Sequence, residues 1–200
     1  MDLQQPDQFR AQSGDVRLDI LMEMACASGY ATAREQELLA PTLVVCGDGS
    51  ELGIFELISN EAPIADMARV LIWATDATRA AICFEGWAYE VPETPEGLEA
   101  LRRGTLPRNH IRPQDHPDRY DVLYVLGQAK GQEEVLRSWR IATDPQTKLR
   151  TFRPHEWMNE SELGPSNFNP LFVESDKVRA LIRKHAELAR LRDRARTRRN

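Results

Sequence analysis

The sequence has few cysteines and no long hydrophobic run, and both shortages exclude classes of protein. Its three cysteines, Cys26, Cys46 and Cys83, are far apart and form no C-x-x-C pair, so neither a disulfide framework nor a thiolate zinc site is expected. The most apolar stretch, ARVLIWA, is far shorter than the ~20 residues that a membrane-spanning helix needs. The start of the chain, MDLQQPDQFR, lacks the basic head and apolar run of a signal peptide. We therefore expect a cytoplasmic protein without a membrane segment.

Sequence motifs of the common enzyme classes are missing as well. The chain contains no G-x-x-x-x-G-K-[ST], no G-x-G-x-x-G, no G-x-S-x-G and no H-E-x-x-H. The glycine-rich CGDGSELG lies between two predicted strands and not before a helix, so a hairpin turn is favoured over a phosphate cradle. The cysteines have apolar neighbours, which is typical of buried side chains rather than nucleophiles. We expect no catalytic residue and no cofactor, and a non-enzymatic protein.

Charge is divided unevenly along the chain. Residues 176–200 hold ten Lys or Arg residues against three Asp or Glu residues, a net charge of +7. Residues 1–175 then hold 16 cations against 28 acids, a net charge of −12. Such an acidic body repels the nucleic-acid backbone everywhere except at the basic tail, which argues against a general nucleic-acid protein.

The apolar spacing predicts a single α+β domain over residues 1–175, with a basic helix or tail at 176–200. N-terminal helices are expected within residues 15–40, the sheet core within 41–153 and an irregular wrap over 154–174. The first helix should end near Gly29, and TAREQELLA should form a second helix that Pro41 closes. The predicted apolar stripe of the first helix consists of Val16, Ile20, Leu21 and Met24.

The predicted sheet is antiparallel and has about six strands, packed by a helix over residues 63–76. TLVVCGDGSELGIFELI should be a hairpin, and AAICFEGWAYEV should be a central strand because both of its faces are apolar. RYDVLYVLG is also apolar on both faces, whereas EVLRSWRIA has a polar face and suits a position nearer the edge. The helix stripe is expected to be Ile64, Met67, Val70, Leu71 and Ala74.

The strongest metal candidate is NHIRPQDHPDR, which groups His110, Asp115, His116 and Asp118. Imidazole and carboxylate together suit zinc or another divalent ion, so a metal-dependent hydrolase or nuclease is one alternative function. The spacing fits no established metal motif. A turn explains the same residues, because His116 precedes Pro117 and is extended, while Asp118 suits a turn position. We favour the turn and expect no metal.

Glu85 lies within the apolar strand AAICFEGWAYEV, where a lone carboxylate would be costly to bury. Arg119, at the start of the next predicted strand, is the expected partner in a structural ion pair. An exposed strand position for Glu85 is the alternative.

Three stretches taken together resemble a known set of proteins: FEGWAYEVP, then HPDRYDVLYVLG after a proline-rich spacer, then SWRI. They are similar to uncharacterised bacterial and phage-borne proteins in which a Trp-bearing strand is followed by a His-Pro-Asp-Arg start of the next strand. The similarity covers residues 63–145. It implies the sheet, and an origin in a phage or mobile element, but no chemistry.

Two segments are expected to contact partners: the proline-rich loop over residues 92–117, which is long for an idle connection, and the tail. The tail is expected to form a basic amphipathic helix from Ser175. A protein partner or self-association is favoured for it, nucleic acid is an alternative, and an exposed helix without a partner is the third. The expected partner-binding cations are Lys177, Arg179, Arg183, Lys184, Arg190, Arg192, Arg194, Arg196, Arg198 and Arg199.

Overall fold

The protein folds around one six-stranded antiparallel sheet. The computed structural model describes residues 13–35, 39–49, 51–58, 63–88, 95, 99, 115, 117–154, 170–173, 175–184 and 190. In these ranges the elements are α1 (Val16–Glu35), β1 (Thr42–Cys46), β2 (Leu52–Glu56), α2 (Ile64–Ala74), β3 (Arg79–Ala88), β4 (Tyr120–Ala129), β5 (Glu134–Thr143), β6 (Arg150–Pro154) and α3 (Asp176–Lys184). The strand order is β2-β1-β3-β4-β5-β6, and every neighbouring pair is antiparallel. The predicted α+β class is confirmed.

The middle of the sheet is the long pair β3 and β4. These strands pair from Arg79↔Ala129 to Ala88↔Tyr120, and both are apolar on both faces, as predicted for central strands. The predicted hairpin is β1 and β2, with β2 at one edge. β5 lies next to the other edge strand, β6, in agreement with its polar face.

Helix α1 covers one face of the sheet as a single helix that passes through Gly29. The predicted end at Gly29 and the separate second helix are wrong, although residues 36–38 of TAREQELLA lie outside the described residues. Gly29 serves close packing instead. A Cβ atom there would overlap Sγ of Cys83, and a Cβ atom at Gly127 in β4 would overlap Sδ of Met22. Glycine therefore lets the helix approach the sheet closely.

The predicted stripe of α1 is half right: Leu21 is buried and Met24 is partly buried, but the other two residues are not. Val16 is 73% exposed and Ile20 is 50% exposed, so both point away from the sheet. The residues that face the sheet recur at spacings of three and four: Leu18, Leu21, Met22, Ala25, Cys26 and Gly29. The sequence contains two overlapping apolar stripes, and the buried one packs in the same core cluster as Ala81 and Cys83 of the sheet.

Helix α2 covers the opposite face. Its Ala68 and Ile72 pack with Leu43, Ile82 and Leu126 of the sheet. Of the predicted stripe, Val70 and Ala74 are fully buried, whereas Ile64, Met67 and Leu71 are half-buried. Helix α3 lies against α2, so the second face carries two helical layers. No helix among the residues just described is both long and apolar enough to cross a membrane.

Candidate interaction surfaces

Helix α3 displays cations on its outer side. Four of the predicted tail cations lie on it, Lys177, Arg179, Arg183 and Lys184, and all four are exposed, as is Arg190 beyond it. The apolar residues Val178, Leu181 and Ile182 recur at a spacing of three and four and occupy the other side, where Val178 is fully buried. The remaining predicted cations, Arg192, Arg194, Arg196, Arg198 and Arg199, lie outside the described residues.

The base of α3 is capped and anchored. The Ser175 Oγ accepts a hydrogen bond from the Val178 amide at 3.2 Å, which confirms the predicted N-cap. Arg179 approaches Asp176 at 3.6 Å, but the Asp176 side chain is fully exposed, so this pair contributes little stability. The helix is therefore held by its apolar side and its cap, and its charges face solvent.

The segment before α3 is tied to the sheet by Gln128, a residue that sequence reasoning missed. Gln128 is 6% exposed; its Oε1 accepts hydrogen bonds from the amides of Leu171 at 2.8 Å and Phe172 at 3.3 Å. Its Nε2 donates to the Gln132 carbonyl at 3.0 Å. Leu171, 1% exposed, enters the core beneath α2. A polar residue inside the apolar run RYDVLYVLGQA was the available signal, because a buried amide needs partners.

Glu85 has a cation as expected, and the partner seen is Arg150. Both guanidinium nitrogens of Arg150 donate to the carboxylate, at 2.6 Å and 2.7 Å, and the two side chains are only 8% and 11% exposed. The alternative of an exposed Glu85 is therefore wrong. Arg119 lies with its guanidinium carbon 5.7 Å from the ring centroid of Trp87, and its predicted pairing with Glu85 stays a prediction.

The candidate metal residues fall mostly outside the described ranges. His110 and His116 lie outside the described residues, as does most of the predicted loop 92–117. Asp115 and Asp118 are both exposed. Among the residues that the structure describes, no three His, Cys, Asp or Glu side chains group as metal ligands.

The three cysteines are buried, free thiols, as their apolar neighbours predicted. Burial raises the pKa of the Cys83 thiol well above its ordinary value. Burial also raises the pKa of Cys46, and Arg79 only partly offsets this. A raised pKa disfavours the thiolate, which is the reactive form, so neither thiol suits nucleophilic chemistry.

A surface cleft lies between α2 and residues 171–173. Its walls include Trp73 and Phe172 together with the charged residues Arg69, Asp76 and Lys130. Charges of both signs meet there, so the cleft favours no single ligand class. Comparison of the chain with protein-family models, with curated proteins and with solved structures found no match.

Proposed function

We propose that the protein is a non-enzymatic, cytoplasmic interaction protein whose basic C-terminal helix docks on an acidic protein surface. The observation that supports this most is the placement of α3: Val178 anchors its apolar side, while Lys177 and Arg183 face solvent on the other. A fixed helix loses less side-chain and backbone freedom on binding than a loose tail does. A preorganised row of cations therefore suits recognition of a partner surface.

The acidic body of a second copy is one surface that would attract this helix. The β1–β2 hairpin exposes Asp48, Glu51 and Glu56, and residues 1–175 carry a net charge of −12. Attraction between opposite charges steers such encounters, and this attraction weakens as salt screens the charges. Self-association, or docking on another acidic protein, would then be strongest at low ionic strength.

Charge reversal on α3 tests the proposal. We expect the full chain to form a complex at about 50 mM salt, with itself or with added poly-glutamate, and to lose it at about 500 mM salt as the Debye length shortens. The variant Lys177→Glu/Arg183→Glu should lose this complex, as measured by sedimentation velocity. The matched control Lys130→Glu/Lys148→Glu changes the net charge equally at two exposed positions outside α3 and should keep the complex.

Two results would contradict the proposal. One is a monomeric mass at both salt concentrations with no binding of poly-glutamate. The other is equal loss of the complex in the α3 variant and in the control, because binding would then depend on net charge and not on the helix. Tighter binding of duplex DNA than of poly-glutamate would replace the protein partner by nucleic acid.

A further inference from the structure

Strands β5 and β6 place two arginines directly opposite each other. Arg140 pairs with Arg153 in the register of the two strands, so their side chains leave the same face of the sheet. The neighbours Trp139 and Ile141 point into the core under α1, which directs Arg140 to the other face, the one that α2 covers. Both arginines are exposed.

Two other arginines of the sheet, Arg79 and Arg150, each have a carboxylate partner among the described residues. Arg79 pairs with Asp15 at 2.7 Å and Arg150 pairs with Glu85, but within the described ranges neither Arg140 nor Arg153 forms an ion pair. Like charges directly opposite each other on neighbouring strands destabilise a sheet. Their juxtaposition is therefore unfavourable until an anion lies between them.

One of the two cations is held in place by an aromatic ring. The guanidinium carbon of Arg140 lies 4.2 Å from the centroid of the Tyr120 ring, close enough for a cation–π contact. Two register positions further along, on the same face, Thr151 pairs with Ala142, and its hydroxyl donates to the Ala142 carbonyl at 3.2 Å. The corner thus presents one guanidinium held on an aromatic ring and a second arginine opposite it in the register of the neighbouring strand.

We propose that Arg140 and Arg153 form a binding site for a phosphate group, oriented by Tyr120. Two planar guanidinium forks match the oxygens of a phosphate, and its negative charge offsets the repulsion between the two cations. Among the described residues the site lies at a corner of the sheet and not in a cleft, so the phosphate belongs to a larger ligand or to a small phosphorylated molecule held by this group alone. It does not depend on the basic helix proposed above.

Thermal unfolding at constant ionic strength tests the site. Replacing chloride by inorganic phosphate should raise the Tm of the full chain more than the Tm of Arg140→Gln/Arg153→Gln, because the double variant keeps only the general stabilisation by an ion that is excluded from protein surfaces. Lys148→Gln removes a cation from the exposed turn of the same hairpin and should keep the response of the original chain. Without phosphate, the double variant should be at least as stable as the original chain, because the repulsion is gone.

A titration with a fluorescent twelve-nucleotide oligothymidylate distinguishes the two kinds of ligand that could carry the phosphate. Binding that weakens about tenfold in the double variant and competes with inorganic phosphate would identify a nucleic-acid backbone. A phosphate response without oligonucleotide binding would identify a small phosphorylated molecule. An equal Tm rise in the original chain and the double variant would overturn the proposal. If the double variant fails to fold, the same comparison with Arg153→Gln alone decides.

Discussion

At the residue scale, Asp15 shows how one carboxylate joins local and distant structure. Its Oδ1 accepts the amides of Arg17 at 3.0 Å and Leu18 at 3.1 Å, which caps the start of α1. Its Oδ2 accepts Arg79 Nε at 2.7 Å, which ties the helix to the first residue of β3. The cap can be predicted from an Asp before a helical stretch, but the pairing of Asp15 with Arg79 of β3 depends on the fold.

The same carboxylate should make stability depend on acid pH. Burial raises the pKa of Asp15, but the hydrogen bond from Arg79 and the backbone amides outweigh it and hold the pKa below its ordinary value. A lowered folded-state pKa means that the stabilisation is complete above the unfolded value of about 3.9 and is lost as pH falls through the folded value. Asp15→Asn should therefore lower the free energy of unfolding by about 1 kcal/mol at pH 7. This difference should vanish at pH values below the folded-state pKa of Asp15.

Urea unfolding of both proteins over a series of pH values measures this difference. The control is Asp48→Asn, since the Asp48 side chain is 74% exposed and lies 3.9 Å from the same Arg79. We expect it to change stability little. A cost for Asp15→Asn that is independent of pH would show that the charge is not what stabilises the helix start.

At the scale of elements, the pair of Glu85 and Arg150 joins strands that are not neighbours. Glu85 lies on β3 and Arg150 begins β6, with β4 and β5 between them. The pair therefore fixes an edge strand to the centre of the sheet across its α1 face. The need for a cation at Glu85 follows from the apolar strand around it, but its choice depends on sheet order and twist, which the local sequence does not contain.

Removing Arg150 should be strongly destabilising. Arg150→Met leaves a carboxylate that is 11% exposed without its bidentate partner, and we expect a loss of about 3–5 kcal/mol in the free energy of unfolding. The double variant Glu85→Leu/Arg150→Met should recover most of this loss, because no buried charge remains. Urea unfolding of the single and double variants gives the coupling directly.

Arg119→Met serves as the comparison for that series. The exposed Arg119 contacts Trp87, which is 46% exposed, so a loss within about 1 kcal/mol is expected. A loss as large as that of Arg150→Met would instead favour the pairing of Glu85 with Arg119 that the sequence predicts.

At the scale of the whole molecule, specific contacts join the described part of the C-terminal region to the sheet and to α2. Gln128 holds the amides of Leu171 and Phe172, and Arg69 Nε donates to the Pro170 carbonyl at 3.1 Å. Val178 then buries the near side of α3. Among the described residues, the contacts that hold the basic helix in place therefore include a buried amide in β4 and apolar side chains such as Leu171 and Val178.

Gln128→Leu should loosen this attachment. The variant leaves two backbone amides without their acceptor, at a cost of about 1–3 kcal/mol, and hydrogen exchange at Leu171 and Phe172 should become faster. Gln132→Leu is the matched control, because Gln132 takes part through its backbone carbonyl, which the substitution keeps. Unchanged protection of the Leu171 amide in Gln128→Leu would contradict the role given to Gln128.

The sequence by itself determined the class of fold, the central strands, the hairpin and the N-cap of the last helix. These features depend on short-range patterns: apolar residues on both faces of a strand, Gly-Asp-Gly between two strands, and a serine before a helix. Only the tertiary structure decided which stripe of α1 is buried, why Gly29 lies inside a helix, and which arginine neutralises Glu85. Each of these depends on residues far apart in the chain, because close approach of a helix to a sheet and the pairing of side chains across strands are set by packing.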